Sequence, residues 1–270
     1  MDEKTTKENL RDIQNEPDLR NIGIDKVGVK DVRYPIVVLD KAKERQHTVA
    51  SFNMYVYLPH HFKGTHMSRF VEILNEYSGE ITVENLPSIL SAMKERFEAS
   101  TAHLEVAFPY FIEKAAPVSG FKGLMEYECR LLGSFGEVED YIVEVKVPVT
   151  TLCPCSKEIS DRGAHNQRGT VTVGVRFKGF LWIEDIISVV EASASSPVFS
   201  LLKRADEKYV TEQAYDNPRF VEDILREVAI KLKDLDGVKW ARIEAENHES
   251  IHNHSAYGYL EMDYTDDSKE

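Results

Sequence analysis

Alternation of apolar and polar residues over several long stretches is the feature that most limits the folds open to this chain. In residues 48–58, apolar side chains recur at every second position. Residues 138–149 show the same alternation, with four valines at every second position from 143 to 149. A period of two residues is typical of a strand with one buried face. The strands predicted from this pattern are 27–40, 48–58, 101–113, 123–133, 138–149, 171–177, 238–246 and 254–264.

Apolar residues recur at helical spacing in four further stretches that lie between the predicted strands. The predicted helices are 67–77, 83–97, 182–194 and 218–235. For the last of them, we expect Asn217 to be the cap and Pro218 the first helical residue. The order of strands, two helices and strands therefore occurs twice along the chain.

This order predicts an α+β fold with two similar halves. Short links between successive strands favour antiparallel sheets, with the helices on one face. We expect the first half to span residues 23–150 and the second half residues 151–264. Residues 1–22 are polar and lack periodicity, so they are predicted to form a mobile arm, and 265–270 a similar tail.

The charge balance argues against general binding of nucleic acid. The chain has 33 Lys and Arg against 46 Asp and Glu, a formal net charge of -13, whereas nucleic-acid binding depends on basic groups at phosphates. No apolar run reaches the ~18 to 20 residues needed to cross a bilayer, and the N-terminal sequence has no hydrophobic signal region. We therefore expect a cytoplasmic protein without a nucleic-acid or membrane partner.

The densest chemical signal is the block 148–169, in which Cys153, Cys155 and His165 follow a valine-rich strand. Thiolate and imidazole suit zinc and its first-row neighbours. Pro154 prevents a regular central strand, so it predicts a bend that presents both cysteines. Two packed thiols are the alternative interpretation of this block.

The third cysteine, Cys129, lies on an alternating run and is predicted to be a core residue. Three unevenly spaced cysteines without a secretion signal do not indicate a disulfide framework. A comparison with zinc deaminases fails, although His103 and Glu105 have the H-x-E form of those enzymes. Their P-C-x-x-C motif requires a cysteine where this chain has Glu158.

Histidines cluster just before the last predicted strand, at His248, His252 and His254, with Glu249 among them. Residues two apart face the same side of an extended segment, so His252 and His254 could approach one ion or one substrate. A solvated polar loop is the alternative.

A charged run lies in the sequence between the block 148–169 and the histidine cluster. It contains Lys203, Arg204, Asp206 and Glu207. A solvated charged turn is the simplest interpretation of such a run. The same run would also give an acidic protein the local positive charge that a polyanionic substrate needs.

Taken together, these blocks resemble the prokaryotic GTP cyclohydrolase IB family. The resemblance runs in order from about Val27 to Tyr264, and it is carried by GTHMSRF, TTLCPCSKEIS, GAHNQRG, LLKRADEKYVTE, NPRFVEDILR and NHESIHNH. It implies a tunnelling fold of two sequential ββααββ-like halves, assembled as a homotetramer with active sites at subunit interfaces. The implied reaction is hydrolysis of GTP to 7,8-dihydroneopterin triphosphate and formate, the first step towards tetrahydrofolate and, in some organisms, modified tRNA bases.

The resemblance also assigns roles to residues by matching motifs. It implies a divalent metal ion, Zn, Mn or Fe, with the ligands Cys153, His165 and Glu207. It implies catalytic roles for Cys153, His252 and His254, and leaves open whether either histidine binds the metal directly. The implied substrate-binding residues are Glu222 for the N–H edge of guanine and Lys203, Arg204 and Arg168 for the triphosphate, for which Lys157 is a further candidate.

Two alternatives to this function remain at the level of sequence. A nitrile reductase of the same fold would use a cysteine nucleophile and NADPH, but no nicotinamide-linked signature is visible and the histidine cluster would have no task. A non-catalytic protein with a structural metal would normally have four Cys or His ligands. Release of formate from GTP separates the cyclohydrolase from both.

Overall fold

The structure is a computed structural model that describes residues 12–14, 16–77, 82 and 85–265. The predicted arm therefore lies partly, and the predicted tail largely, outside the described residues. The described part of the arm contacts the segment that follows the second strand, where Pro17 forms a β-bridge with Phe62. The amide N–H of Asp18 also donates to the carbonyl of His61 at 3.1 Å.

Strands and helices follow the predicted order closely in the first half and less closely in the second. The strands are β1 (Ile24–Asp40), β2 (Glu44–Leu58), β3 (Ala102–Ala115), β4 (Lys122–Phe135), β5 (Glu139–Leu152), β6 (Asn166–Phe177), β7 (Ser196–Pro197), β8 (Val238–His248) and β9 (Ser255–Asp263). The helices are α1 (Ser68–Tyr77), α2 (Leu86–Phe97), α3 (Pro154–Ile159), α4 (Ile183–Glu191), α5 (Arg204–Asp216) and α6 (Val221–Lys233).

Within the described residues, the nine strands form one antiparallel sheet in the order β1-β2-β3-β4-β5-β6-β8-β9, and the short β7 pairs with β5. The predicted fold class, a tunnelling fold of two tandem ββααββ-like halves, is therefore wrong. β5, from the predicted first half, pairs continuously with β6, from the second, from Val143 opposite Val175 to Leu152 opposite Asn166, so no boundary divides the sheet. The second part also departs from the ββααββ order. α3 lies between β5 and β6, and the three helices α4 to α6 lie between β6 and β8.

One face of the sheet and the helices share a single apolar core. The alternating valines of β5 explain why: Val143, Val145, Val147 and Val149 are all buried, since successive side chains of a strand point to opposite faces. α2 packs near β2 to β4 with α1 against it, while α4 packs near β5 and α6 packs near β8 and β9. Cys129 is buried in this core as predicted, and burial raises the pKa of its thiol.

Two elements around the last helices differ from the prediction. α5 has only Asp206 and Ala214 buried, so it lacks the apolar stripe by which a helix is recognised. Asn217 follows α5 instead of capping α6, and its side-chain amide donates to the carbonyl of Ala194 at 2.9 Å. α6 begins three residues later than predicted, at Val221.

The pairing brings the connections with the conspicuous residues to one end of the sheet. Leu152 at the end of β5 pairs with Asn166 at the start of β6, and His248 at the end of β8 pairs with Ser255 at the start of β9. Because β6 also pairs with β8, residues 153–165 and 249–254 leave the sheet side by side. Among the described residues, no helix has the length and apolar character needed to cross a membrane.

Candidate functional site

The connection between β5 and β6 holds Cys153 and His165 at its two ends. The amide N–H of Cys153 donates to the carbonyl of His165 at 3.1 Å, which continues the strand pairing by one step. The hydroxyl of Ser156 donates to the carbonyl of Cys153 at 3.1 Å and accepts the amide N–H of His165 at 3.2 Å. The backbone therefore fixes the cysteine and the histidine as neighbours although they are twelve residues apart.

Cys153 is the N-cap of the short helix α3, and its Sγ accepts the amide N–H of Ser156 at 3.4 Å. Pro154 occupies the first helical position, where its missing N–H costs nothing and its fixed φ suits the helix. Cys153 remains partly accessible, whereas Cys155 is exposed on α3. The two cysteines thus differ in surroundings, with only the first tied into the β5–β6 connection.

His165 belongs to a chain of hydrogen bonds that reaches the histidine-rich loop. Its Nδ1 lies 3.0 Å from Oε1 of Gln167, and Nε2 of Gln167 donates to Oε1 of Glu249 at 3.4 Å. Oε2 of Glu249 lies 3.9 Å from the same Nδ1. The side chains of His165 and Glu249 are only 15% and 14% exposed, so this chain lies largely out of solvent.

The other residues of the histidine cluster are exposed. The rings of His252 and His254 stack with centroids 5.0 Å apart and planes 16° apart. Nδ1 of His248 lies 3.2 Å from the hydroxyl of Ser255 at the start of β9. His252 and His254 therefore stand in the loop that also carries Glu249, but they are not part of its hydrogen-bond chain.

The charged run that begins α5 is anchored by Asp206, which is fully buried. Its carboxylate accepts the amide N–H groups of Val118, Ser119 and Lys203, each at 2.8 Å, and the hydroxyl of Ser119 at 2.6 Å. Burial alone would raise the pKa of Asp206, but these hydrogen bonds outweigh it and hold the pKa well below its usual value. The interpretation of this run as a simple solvated turn is therefore wrong for Asp206, while Arg204 remains exposed.

Glu207, the predicted third metal ligand, follows this anchor and is exposed. In the part of the chain that the structure describes, no three His, Cys, Asp or Glu groups lie close enough together to hold a metal ion. Within one chain, the structure therefore brings Cys153 and His165 together and does not bring Glu207 to them.

The predicted guanine-binding residue, Glu222, lies in the exposed first turn of α6. The neighbouring carboxylate of Asp223 accepts the amide N–H of Phe220 at 2.9 Å, so Asp223 caps the helix. The amide N–H of Arg219 donates to the carbonyl of Leu152 at 3.0 Å, directly before Cys153. The start of α6 is thus held beside the end of β5, while Glu222 has no capping task.

The predicted triphosphate-binding residues are all accessible. Arg168 lies on β6 and is exposed, as are Lys203 and Arg204. Nζ of Lys203 lies 5.0 Å from the ring centroid of Phe121. Lys157 is engaged elsewhere, because its Nζ donates to the carbonyl of Tyr215 at 2.5 Å.

Two residues with defined contacts at this site were given no role by the sequence analysis. Gln167 is only 7% exposed and joins His165 to Glu249. Two signals for a role of Gln167 were available: it follows His165 by two residues, and it occupies a strand position that faces inward. Glu249 stood within the histidine cluster, but its proximity to His165 depends on the pairing of β6 with β8.

Comparison with known sequences gives a family match over nearly the whole chain. Residues 10–258 match the family described as type I GTP cyclohydrolase folE2. A protein named GTP cyclohydrolase FolE2 from Syntrophotalea carbinolica is 64% identical over 253 residues, which cover 94% of this chain and 95% of that protein. A protein of the same name from Syntrophus aciditrophicus is 62% identical over 253 residues, 93% of this chain and 99% of that protein.

Comparison with solved structures gives a likeness of fold. Uricase from Arthrobacter globiformis superposes with a TM-score of 0.54 at 8% identity, over 88% of this chain and 92% of that chain. A uricase from Bacillus fastidious gives a TM-score of 0.54 at 8% identity, over 90% of this chain and 93% of that chain. A continuous antiparallel sheet like that of the uricases therefore replaces the predicted fold.

Proposed function

The chain belongs to the type I GTP cyclohydrolase FolE2 family and is a GTP cyclohydrolase of folate biosynthesis, and we propose that its active site is built on Cys153 and His165. The proposed reaction is hydrolysis of GTP to 7,8-dihydroneopterin triphosphate and formate. Within the type I enzymes we propose the IB group, on the CPCSKEIS and AHNQRG blocks.

The observation that carries this location is the backbone bond between Cys153 and His165. It holds Cys153, whose thiol is partly accessible, beside His165 at the end of the sheet, with Gln167 and Glu249 linked to the imidazole. Thiol and imidazole donors suit divalent ions such as Zn, Mn or Fe. Cys153 and His165 therefore suit such an ion, and Glu207, which does not reach them within one chain, is proposed to complete the set from another subunit.

Opening of the imidazole ring of guanine requires water to add at C8. When bound, a divalent ion would lower the pKa of water towards neutrality. His252 and His254, exposed in the neighbouring loop, are proposed to carry protons between the ring nitrogens and water. Glu222 is proposed to accept two N–H groups of guanine, a paired contact that adenine cannot reproduce.

Lys203, Arg204 and Arg168 are proposed to bind the triphosphate. All three are exposed, so they are free to meet a ligand, whereas the protein as a whole carries a net charge of -13. An anionic substrate needs such local positive charge to approach an acidic protein.

The function is tested by incubating the purified, metal-loaded protein with GTP and measuring formate and, after oxidation, a fluorescent pterin. We expect both products to appear with GTP, to be absent with ATP, and to disappear when a chelator removes the metal. Unchanged turnover after complete metal removal would contradict the metal dependence. The absence of formate with every divalent ion tested would contradict the enzyme assignment.

We further propose that the enzyme acts as a homo-oligomer, a tetramer by its resemblance, with sites shared between subunits. Two features support this: Glu207 does not join Cys153 and His165 within one chain, and β1 and β9 form the two edges of the described sheet. Unpaired strand edges are suited to pairing with another chain. We expect light scattering to show that activity follows the oligomer across a dilution series, and a fully active monomer would contradict this assembly.

A further inference from the structure

We propose that Gln167 is a positioning residue that fixes the tautomer of His165 and so decides which ring nitrogen is offered to the metal. This inference rests on the proposed function of the Cys153–His165 site. It concerns a residue that would touch neither the metal nor GTP, and it follows from three contacts within one largely buried chain of side chains.

The direction of each hydrogen bond can be worked out from the chemistry of the partners. An ionised carboxylate only accepts hydrogen bonds, so the group of Gln167 that lies 3.4 Å from Oε1 of Glu249 must be its NH₂. The carbonyl oxygen of the same amide then faces Nδ1 of His165 at 3.0 Å. A carbonyl oxygen cannot donate, and Nδ1 must therefore carry the proton.

A neutral imidazole with its proton on Nδ1 has its free lone pair on Nε2. Ligand histidines commonly hold their second nitrogen in such an outer hydrogen bond, which fixes both the tautomer and the ring orientation. The chain from Glu249 through Gln167 thus presents Nε2 of His165 as the nitrogen able to bind a metal ion.

Glu249 does not perform this task alone. Its nearer oxygen lies 3.9 Å from Nδ1 of His165, which is beyond hydrogen-bond distance. Gln167 is 7% exposed and lies on β6 opposite Thr151 of β5, so its backbone position is set by the sheet. The amide therefore bridges a gap that the carboxylate cannot close.

The first test replaces Gln167 with methionine, which has nearly the same length and shape but neither amide group. We expect the affinity for Co²⁺, titrated into the metal-free protein and followed by its visible absorption, to fall ~10-fold to 100-fold. Gln46→Met is the matched control, because Gln46 likewise joins other groups through its side-chain amide, with three hydrogen bonds to Asp40 and to the backbone of Phe111, but belongs to another part of the sheet. The control is expected to lower thermal stability without changing the Co²⁺ affinity.

The second test reverses the polarity of the chain. Gln167→Glu places two carboxylates against each other and is expected to weaken Co²⁺ binding. The double variant Gln167→Glu with Glu249→Gln lets the new carboxylate accept from both Nδ1 of His165 and the new amide. We expect this exchange to restore the affinity and the absorption spectrum to within ~3-fold of the wild type, which a role in packing alone would not produce.

The outcomes separate this inference from the proposed function. If the wild-type protein binds no Co²⁺, the proposed metal site and the positioning role both fall. If the wild type binds Co²⁺ and shows its formate-releasing activity, but folded Gln167→Met binds the ion as tightly as the wild type does, only the positioning role is overturned. Equal losses in the single and the double variant would likewise overturn it.

Discussion

Replacing Cys153 with serine is expected to reduce GTP turnover at least ~100-fold and to weaken metal retention. Serine is a good N-cap, so its hydroxyl keeps the hydrogen bond to the amide N–H of Ser156 and preserves the start of α3. What the substitution removes is the thiolate, the softest donor of the proposed ligand set. A 100-fold loss corresponds to ~2.7 kcal/mol of transition-state stabilisation, within the several kcal/mol that a catalytic metal provides.

Cys155→Ser is the matched control for this experiment, because Cys155 lies two residues away, on α3, and is exposed. We expect it to retain most of the activity and its metal. Circular dichroism and light scattering should show both variants folded and assembled as the wild type. Equal loss in the two folded variants would contradict the assignment of the reactive thiol to Cys153 alone.

Replacing Glu222 with glutamine is expected to lower kcat/KM for GTP at least ~30-fold while the metal content stays unchanged. The substitution keeps the shape of the side chain but turns one acceptor oxygen into a donor that faces an N–H group of guanine. The loss of such a charge-assisted contact costs roughly 2 to 4 kcal/mol, and 1.36 kcal/mol corresponds to a tenfold change in rate.

The strongest competing explanation of Glu222 is that an acidic residue favours the N-terminus of a helix, typically by ~0.3 to 1 kcal/mol. Both Glu222 and Asp223 lie in the first turn of α6, and of the two it is Asp223 that accepts the amide N–H of Phe220 and so caps the helix. Asp223→Asn is therefore the matched control, and it should lower stability slightly with little effect on kcat/KM. A Glu222→Gln enzyme with near-normal kcat/KM would leave Glu222 without a role in guanine binding.

The local patterns in the sequence predicted elements well where burial is periodic. The valines of β5 alternate with polar residues, and they are buried as this pattern indicates. The sequence pattern did not predict α5, because only Asp206 and Ala214 of that helix are buried and its sequence therefore carries no apolar stripe. Periodicity reports which residues face a core, so an element that buries one carboxylate gives almost no periodic signal.

The arrangement of elements was predicted less well, because it depends on contacts that no local pattern contains. The duplicated order suggested two halves, but the pairing of Val143 with Val175 and of their neighbours joins β5 to β6 and makes one sheet. Hydrogen bonds between strands involve the backbone, which is chemically the same at every position, so the side-chain pattern does not specify which strand edges meet.

By itself, the sequence determined the strands with one buried face, the buried Cys129, and the blocks that identify the family. The tertiary structure alone decided the surroundings of those blocks. Glu249 reaches Gln167 across 82 residues of sequence because β6 pairs with β8 in the register that sets Gly169 opposite Asn247. A shift of one residue in that register would turn every side chain of β8 to the other face of the sheet and separate Glu249 from His165.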